Sequence, residues 1–163
     1  LLLSGALTPA RRGEYRPVEM DTPLHRTLDV TKALANPARL RILAALERGE
    51  CCVCQLTAVL ELAPSTVSAH LSELRRAGFL LDRKDGKIVF YRLSERPALK
   101  PWLKAAFAGL RDDEKIAADR AFLDRVKSVD IETFCAAGPA WRKLPAFRGD
   151  GVARRSSGPG KRG

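Results

Sequence analysis

A mainly α fold carrying a β-hairpin wing, the winged helix-turn-helix, is predicted by three features of this 163-residue chain. A helical segment from Pro64 to Ala77 places Val67, Leu71 and Leu74 on one face and small polar groups on the other. A shorter helical segment ends just before it, across the turn Glu61-Leu62-Ala63. Directly after it Gly78 stops the helix, and two apolar runs are joined through Asp85-Gly86, the strongest short-range hairpin signal a sequence offers.

The elements follow in order. Thr22-Pro23 opens a helix from about Leu24 to Ala35, with Leu24, Leu28 and Leu34 on or near one side. Asn36-Pro37 is an N-cap with proline at the first helical position, and starts a helix to about Arg48. Leu40, Ile42, Leu43 and Leu46 leave that helix little polar face, so it belongs in the core. Gly49 ends it, and a third helix spans about Val53 to Leu60. The fourth is the Pro64 to Ala77 segment, whose outward Ser65, Thr66, Ser68, Arg75 and Arg76 suit a helix lying against DNA, with His70 beside Leu71 expected to pack or to contact a phosphate. Phe79 to Lys84 and Lys87 to Leu93 form the wing, with Arg83, Lys84 and Lys87 around its tip to meet phosphates or a minor groove.

After Pro97 two further helices are expected. Leu99, Trp102, Leu103, Ala106, Phe107 and Leu110 recur at helical spacing, and Ile116, Phe122, Leu123 and Val126 form a weaker stripe between about Asp112 and Val129. A small winged-helix core cannot cover both stripes, so both are expected to build a dimer interface with the first helix. From Gly138 onward the glycine, proline, serine and arginine content rises and periodicity is lost, which predicts a disordered basic tail apart from Trp141 and Phe147. The expected organisation is an N-terminal extension (1–19), a winged-helix domain (20–110), a helical extension (111–138) and the tail (139–163). The only methionine is Met20, just ahead of the first helix, so residues 1–19 are expected to be a non-native or disordered addition.

Composition supports an anionic partner. The net charge is +10 and the pI near 10, with much of the excess after Gly138, so the charge favours DNA without conferring more than loose, salt-sensitive attraction. No apolar run reaches membrane-spanning length and the opening leucines lack a secretory pattern, which predicts a cytoplasmic protein with no membrane partner. Nothing resembles an anion-cradling loop around a nucleophilic cysteine, so an enzyme is not expected.

Between Leu34 and Leu93 the chain resembles the ArsR/SmtB family of winged-helix metalloregulators. The resemblance rests on Ala35-Asn36-Pro37-Ala38-Arg39-Leu40-Arg41-Ile42-Leu43, then Glu50-Cys51-Cys52-Val53-Cys54-Gln55-Leu56, then Ser65-Thr66-Val67-Ser68-Ala69-His70-Leu71, then the wing end Phe90-Tyr91-Arg92-Leu93. It implies a homodimer that represses an operator and releases it when an inducer binds, with no resident cofactor. Arsenic-responsive members read Glu-Leu-Cys-Val-Cys-Asp-Leu at the second motif. Cys52 and Cys54 match their paired thiols, whereas Cys51 replaces leucine, Gln55 replaces aspartate, and Thr57 stands where some members add a third cysteine. The histidine and carboxylate zinc site that relatives carry after the wing is absent, because Leu99 to Leu110 contains no His, Asp or Glu.

The thiols themselves point to soft ligands. Three of four cysteines lie within Cys51 to Cys54, only two histidines exist, and soft thiophiles such as As(III), Sb(III) or a soft divalent ion such as Cd(II) prefer such donors. Cys52 and Cys54 are the expected pair, and the third partner is Cys51 or Cys135, with Cys51 favoured. At a helix N-terminus these thiols are expected to have depressed pKa values. An alternative is a winged helix switched by oxidation or persulfidation, with Cys135 closing a disulfide on one of the clustered thiols.

Overall fold

Residues 22–148 are described by a computed structural model. The chain runs α1 (Pro23–Leu34), α2 (Pro37–Leu46), β1 (Cys51–Cys52), α3 (Val53–Leu60), α4 (Pro64–Arg76), β2 (Leu80–Asp85), β3 (Ile88–Leu93), α5 (Lys100–Gly109), α6 (Glu114–Lys127) and α7 (Ile131–Ala137). This is the predicted winged helix-turn-helix with its hairpin. The caps are those the sequence offers: Thr22 Oγ1 accepts from the His25 N–H, and Asn36 Oδ1 from the Arg39 N–H. Gly86 takes φ +57° at the wing tip, a backbone region that disfavours side chains.

One strand was not foreseen. Cys51 and Cys52 form β1, which pairs antiparallel with β3 so that Cys51 faces Tyr91 and Cys52 faces Phe90. The sheet order is β1-β3-β2, and the wing is thus hydrogen-bonded to the cysteine segment.

The main core packs Ile42 and Leu43 of α2, Leu56 of α3, Leu71 and Leu74 of α4, and Phe79. Leu123 of α6 is fully buried in the same cluster, and Ile116 and Val126 are buried too. The expectation that the α6 stripe waits for a partner subunit is therefore corrected: α6 folds back onto α2 and α3 of its own chain. A bidentate ion pair fastens it there, with Arg41 Nε and Nη2 donating to Asp119 at 2.5 and 2.9 Å and Nη2 also donating to the Val59 carbonyl at 3.0 Å. The α5 stripe is less covered. Leu103 is buried, but Trp102 remains 37% exposed, as do Leu24 (66%) and Leu28 (41%) of α1.

The ordered chain also extends past the boundary expected at 138. Two 3-10 turns, Gly138–Lys143 and Pro145–Phe147, bring Trp141 and Phe147 against Phe134 and Val126 in a second core that also includes Ala58 of α3. The rings lie 5.0 to 6.2 Å apart by centroid, at tilted or edge-on angles that favour aromatic packing. Residues 139–148 are thus structured, a correction to the disordered tail. The remaining tail and the 1–19 extension lie outside the described residues.

Candidate functional site

The thiols divide between two surroundings because successive residues of a strand face opposite sides. Cys51 points into the main core, where its Sγ lies 3.7 Å from the Gly49 carbonyl and is fully buried. Cys52 points the other way and ends the strand as the N-cap of α3. Gln55 caps this helix start, its Oε1 accepting from the Cys52 N–H at 3.1 Å. Cys54 lies one residue inside α3 and packs at the edge of the second core.

Cys135 completes the group. Asp130 opens α7 by accepting from the Thr133 N–H at 2.9 Å, and the helix carries Cys135 to 3.5 Å from Cys52, sulfur to sulfur. The sulfurs of Cys52, Cys54 and Cys135 all lie within 4.8 Å of one another. Cys51 is outside the trio, so the third thiol beside the expected pair is Cys135 rather than the favoured Cys51. Three convergent sulfurs with no carboxylate or imidazole among them suit a soft, three-coordinate centre.

The expected depression of the thiol pKa values is reversed at Cys51, Cys52 and Cys135. Burial pushes Cys51 up to about 11, and burial also raises Cys52 and Cys135, which lie against each other's sulfur. Loss of hydration outweighs whatever the short helix dipole of α3 contributes. At neutral pH these three thiols are protonated.

The second face lies on α4 and the wing. Ser65, Thr66 and Ser68 are exposed along the start of α4, and Arg75 and Arg76 along its end, where they pair with Asp82 at 3.1 Å and Glu73 at 2.7 Å. His70 is half-buried, and burial together with the Arg39 guanidinium lowers its pKa from the ordinary 6.5. On the wing, Lys84 and Lys87 are exposed and carry no ion pair among the described residues. Arg83 is held at its post: it donates to Glu50 at 2.7 Å and to Asp85 at 3.1 Å, and its guanidinium lies 4.7 Å over the Phe90 ring. Glu50 adjoins β1, so this pair ties the wing to the strand that carries the thiols. Sequence reading missed that link, although an acid beside the cysteines and an arginine in the wing were both visible.

No helix among the described residues is long and apolar enough to cross a membrane. Residues 36–80 match the family described as "Bacterial regulatory protein, arsR family". The chain is 44% identical over 84 residues to arsenic resistance transcriptional regulator ArsR1 of Pseudomonas putida, a match covering 51% of this chain and 64% of that protein, just under two thirds. It is 38% identical over 106 residues to arsenic resistance transcriptional regulator ArsR2 of the same organism, covering 63% of this chain and 87% of the relative. Among solved structures, the crystal structure of a "possible transcriptional regulatory protein" fragment from Mycobacterium bovis superposes with a TM-score of 0.50 at 27% identity, over 57% of this chain and 99% of that one.

Proposed function

This chain belongs to the ArsR family of bacterial regulatory proteins, and from that premise we propose that it is an arsenite- and antimonite-responsive transcriptional repressor that binds operator DNA as a homodimer. The observation that carries this reading is the trio of Cys52, Cys54 and Cys135, gathered within 4.8 Å on two segments of chain. Trivalent arsenic and antimony supply a three-coordinate, thiophilic centre that exchanges oxygen ligands for sulfur.

The raised pKa values of Cys52 and Cys135 favour such ligands over a divalent ion. Arsenous acid is uncharged in neutral water, and each exchange of an As–O for an As–S bond carries the thiol proton away in a water molecule. Protonated Cys52 and Cys135 therefore do not need to become free thiolates first, and the product bears no charge to strand beside the second core. A divalent ion such as Cd(II) needs thiolates, releases protons on binding, and would leave a net negative three-thiolate complex.

In the proposed DNA complex, the start of α4 enters a major groove of each half-site, with Ser65, Thr66 and Ser68 at bases and phosphates. Arg75 and Arg76 approach the backbone, and Lys84 and Lys87 reach it from the wing, with Arg83 positioned by Glu50. His70 sits beside the backbone as a packed, neutral ring. Movement of the sulfurs has two routes to this surface. One is the β1–β3 ladder, which joins Cys52 to Phe90 of the wing. The other is α3, whose last turn passes through Glu61 at φ +55° into α4. A coupling of about 1–3 kcal/mol along these routes lowers operator affinity about 5- to 150-fold.

Operator release followed by fluorescence anisotropy during an arsenite titration tests the assignment. Cys52→Ser, Cys54→Ser and Cys135→Ser are each expected to abolish release, while Cys51→Ser keeps it. If Cys52→Ser and Cys54→Ser still release DNA at the wild-type arsenite concentration, the thiol site is wrong.

The 3.5 Å approach of Cys52 and Cys135 also supports a second reading, a redox switch. In it the two thiols give up two electrons and two protons to a peroxide or polysulfide and become a disulfide. Mass spectrometry after oxidant treatment separates the readings: this one requires a reversible two-hydrogen mass loss accompanied by operator release without any metalloid.

A further inference from the structure

Beside the thiol trio lies a cavity of about 340 Å³ that a three-thiolate centre for inorganic arsenic does not use. Val53, Ala58, Leu62 and Trp141 form its apolar wall, and Cys54 belongs both to this wall and to the trio. Trp141 is carried there by the C-terminal turns. Arg142 lies over the Trp141 ring, 4.4 Å from its centroid, and pairs with Glu61 at 2.9 Å, so a cation and its partner occupy the rim. Thr57 also lines the cavity, and its Oγ1 is buried with no hydrogen-bond partner among the described residues. A buried, unpartnered hydroxyl of this kind is a cost that a ligand oxygen would relieve.

Building on the thiol reading above, we propose that this cavity seats the carbon substituent of a trivalent organoarsenical whose arsenic is held by Cys54 and a second thiol of the trio. An arsonous acid, R–As(OH)2, already has one As–C bond and so needs two sulfurs, not three. Both As–O bonds break, two As–S bonds form, and the two thiol protons leave in two waters, with no oxidation or reduction. Before the exchange, the Thr57 hydroxyl is the hydrogen-bond partner for an As–OH group at the cavity wall. Size permits a ring as the substituent: an apolar cavity of about 150 Å³ takes up benzene, and this one is more than twice that volume. Contact with Val53, Leu62 and Trp141 of the wall adds to the area such a ring buries. Filling the cavity also presses on Leu62 and Pro64, which lead into α4, so the substituent acts where the DNA-reading helix begins.

The test compares arsenite, methylarsonous acid and phenylarsonous acid as releasers of operator from the full-length protein. The phenyl compound is expected to reach half-release at a concentration about tenfold or more below that of the methyl compound, since it buries a ring in place of a methyl. Ala58→Leu narrows the cavity and is expected to remove most of this preference while leaving arsenite release within about twofold of wild type. Equal potency of methyl and phenyl compounds on the wild type, or release by arsenite alone, overturns the proposal and leaves the arsenite reading intact. Failure of every arsenical sinks both. Should Ala58→Leu not fold, the methyl and phenyl comparison on the wild type decides alone.

Discussion

Adjacent cysteines with opposite destinations show what one residue can settle. The sequence made the pair Cys52 and Cys54 legible, because i and i+2 at a helix start keep two thiols close. The third partner was not legible, since β1 is two residues long and too short to leave a periodic signal, yet it sends Cys51 into the core and away from its neighbours. Cys135 lies 83 residues further on, and only the tertiary fold measures that distance in ångströms. The depressed thiol pKa failed for a related reason: a position relative to a helix can be read from sequence, but burial cannot. His70 gives a residue-scale prediction. Its folded pKa lies below the ordinary 6.5, so the folded state binds fewer protons than the unfolded one at mildly acid pH. Its contribution to stability is complete above about pH 6.5 and declines as pH falls through the lowered folded value. His70→Gln is expected to flatten the stability profile between about pH 6.5 and 5, as followed by urea unfolding at each pH.

At the scale of elements, the four helices α1 to α4 and the hairpin strands β2 and β3 could be placed from caps, glycines and hydrophobic spacing, because each has a start signal and a stop signal. Of the helices after the wing, α5 and α6 were located correctly, but α6 was assigned the wrong neighbour. Whether a stripe meets its own chain or another depends on the return path, which in this protein is fixed by one buried pair. Asp119 has a side chain only 6% exposed against 17% for Arg41, and both oxygens of Asp119 accept from that guanidinium. Asp119→Ala leaves Arg41 in a part-buried site without its carboxylate, and is expected to destabilise the fold by about 3 kcal/mol. A fall in the urea midpoint with an unchanged slope checks it; no change would mean that Leu123 and Val126 alone hold α6. Helix α7 and the 3-10 turns after it escaped prediction because they are shorter than the window in which a helical period can be recognised. Their aromatic residues were the available clue, since Phe134, Trp141 and Phe147 are costly to leave in water.

Among the described residues of the whole molecule, an apolar face stays open on α1 and α5. Leu24 and Leu28 of α1 and Trp102 of α5 stay exposed while the remainder of the α6 stripe is consumed internally, and α1 shares a cleft with Trp102. We assign the interface of the proposed homodimer to this face rather than to α6. Leu28→Glu combined with Trp102→Ala is expected to give monomers in light scattering and to weaken operator binding at least tenfold, because two half-sites are no longer held by one particle. A dimer that survives both changes would move the interface elsewhere. The distance along the chain between Cys52 and Cys135 has a further consequence, one of timing. Synthesis proceeds from the N-terminus, so α4 and the wing are complete before the ribosome has polymerised the residue that closes the trio. The trio therefore closes only after α6 and α7 have been made, so the thiol site forms later than the surface proposed to read DNA.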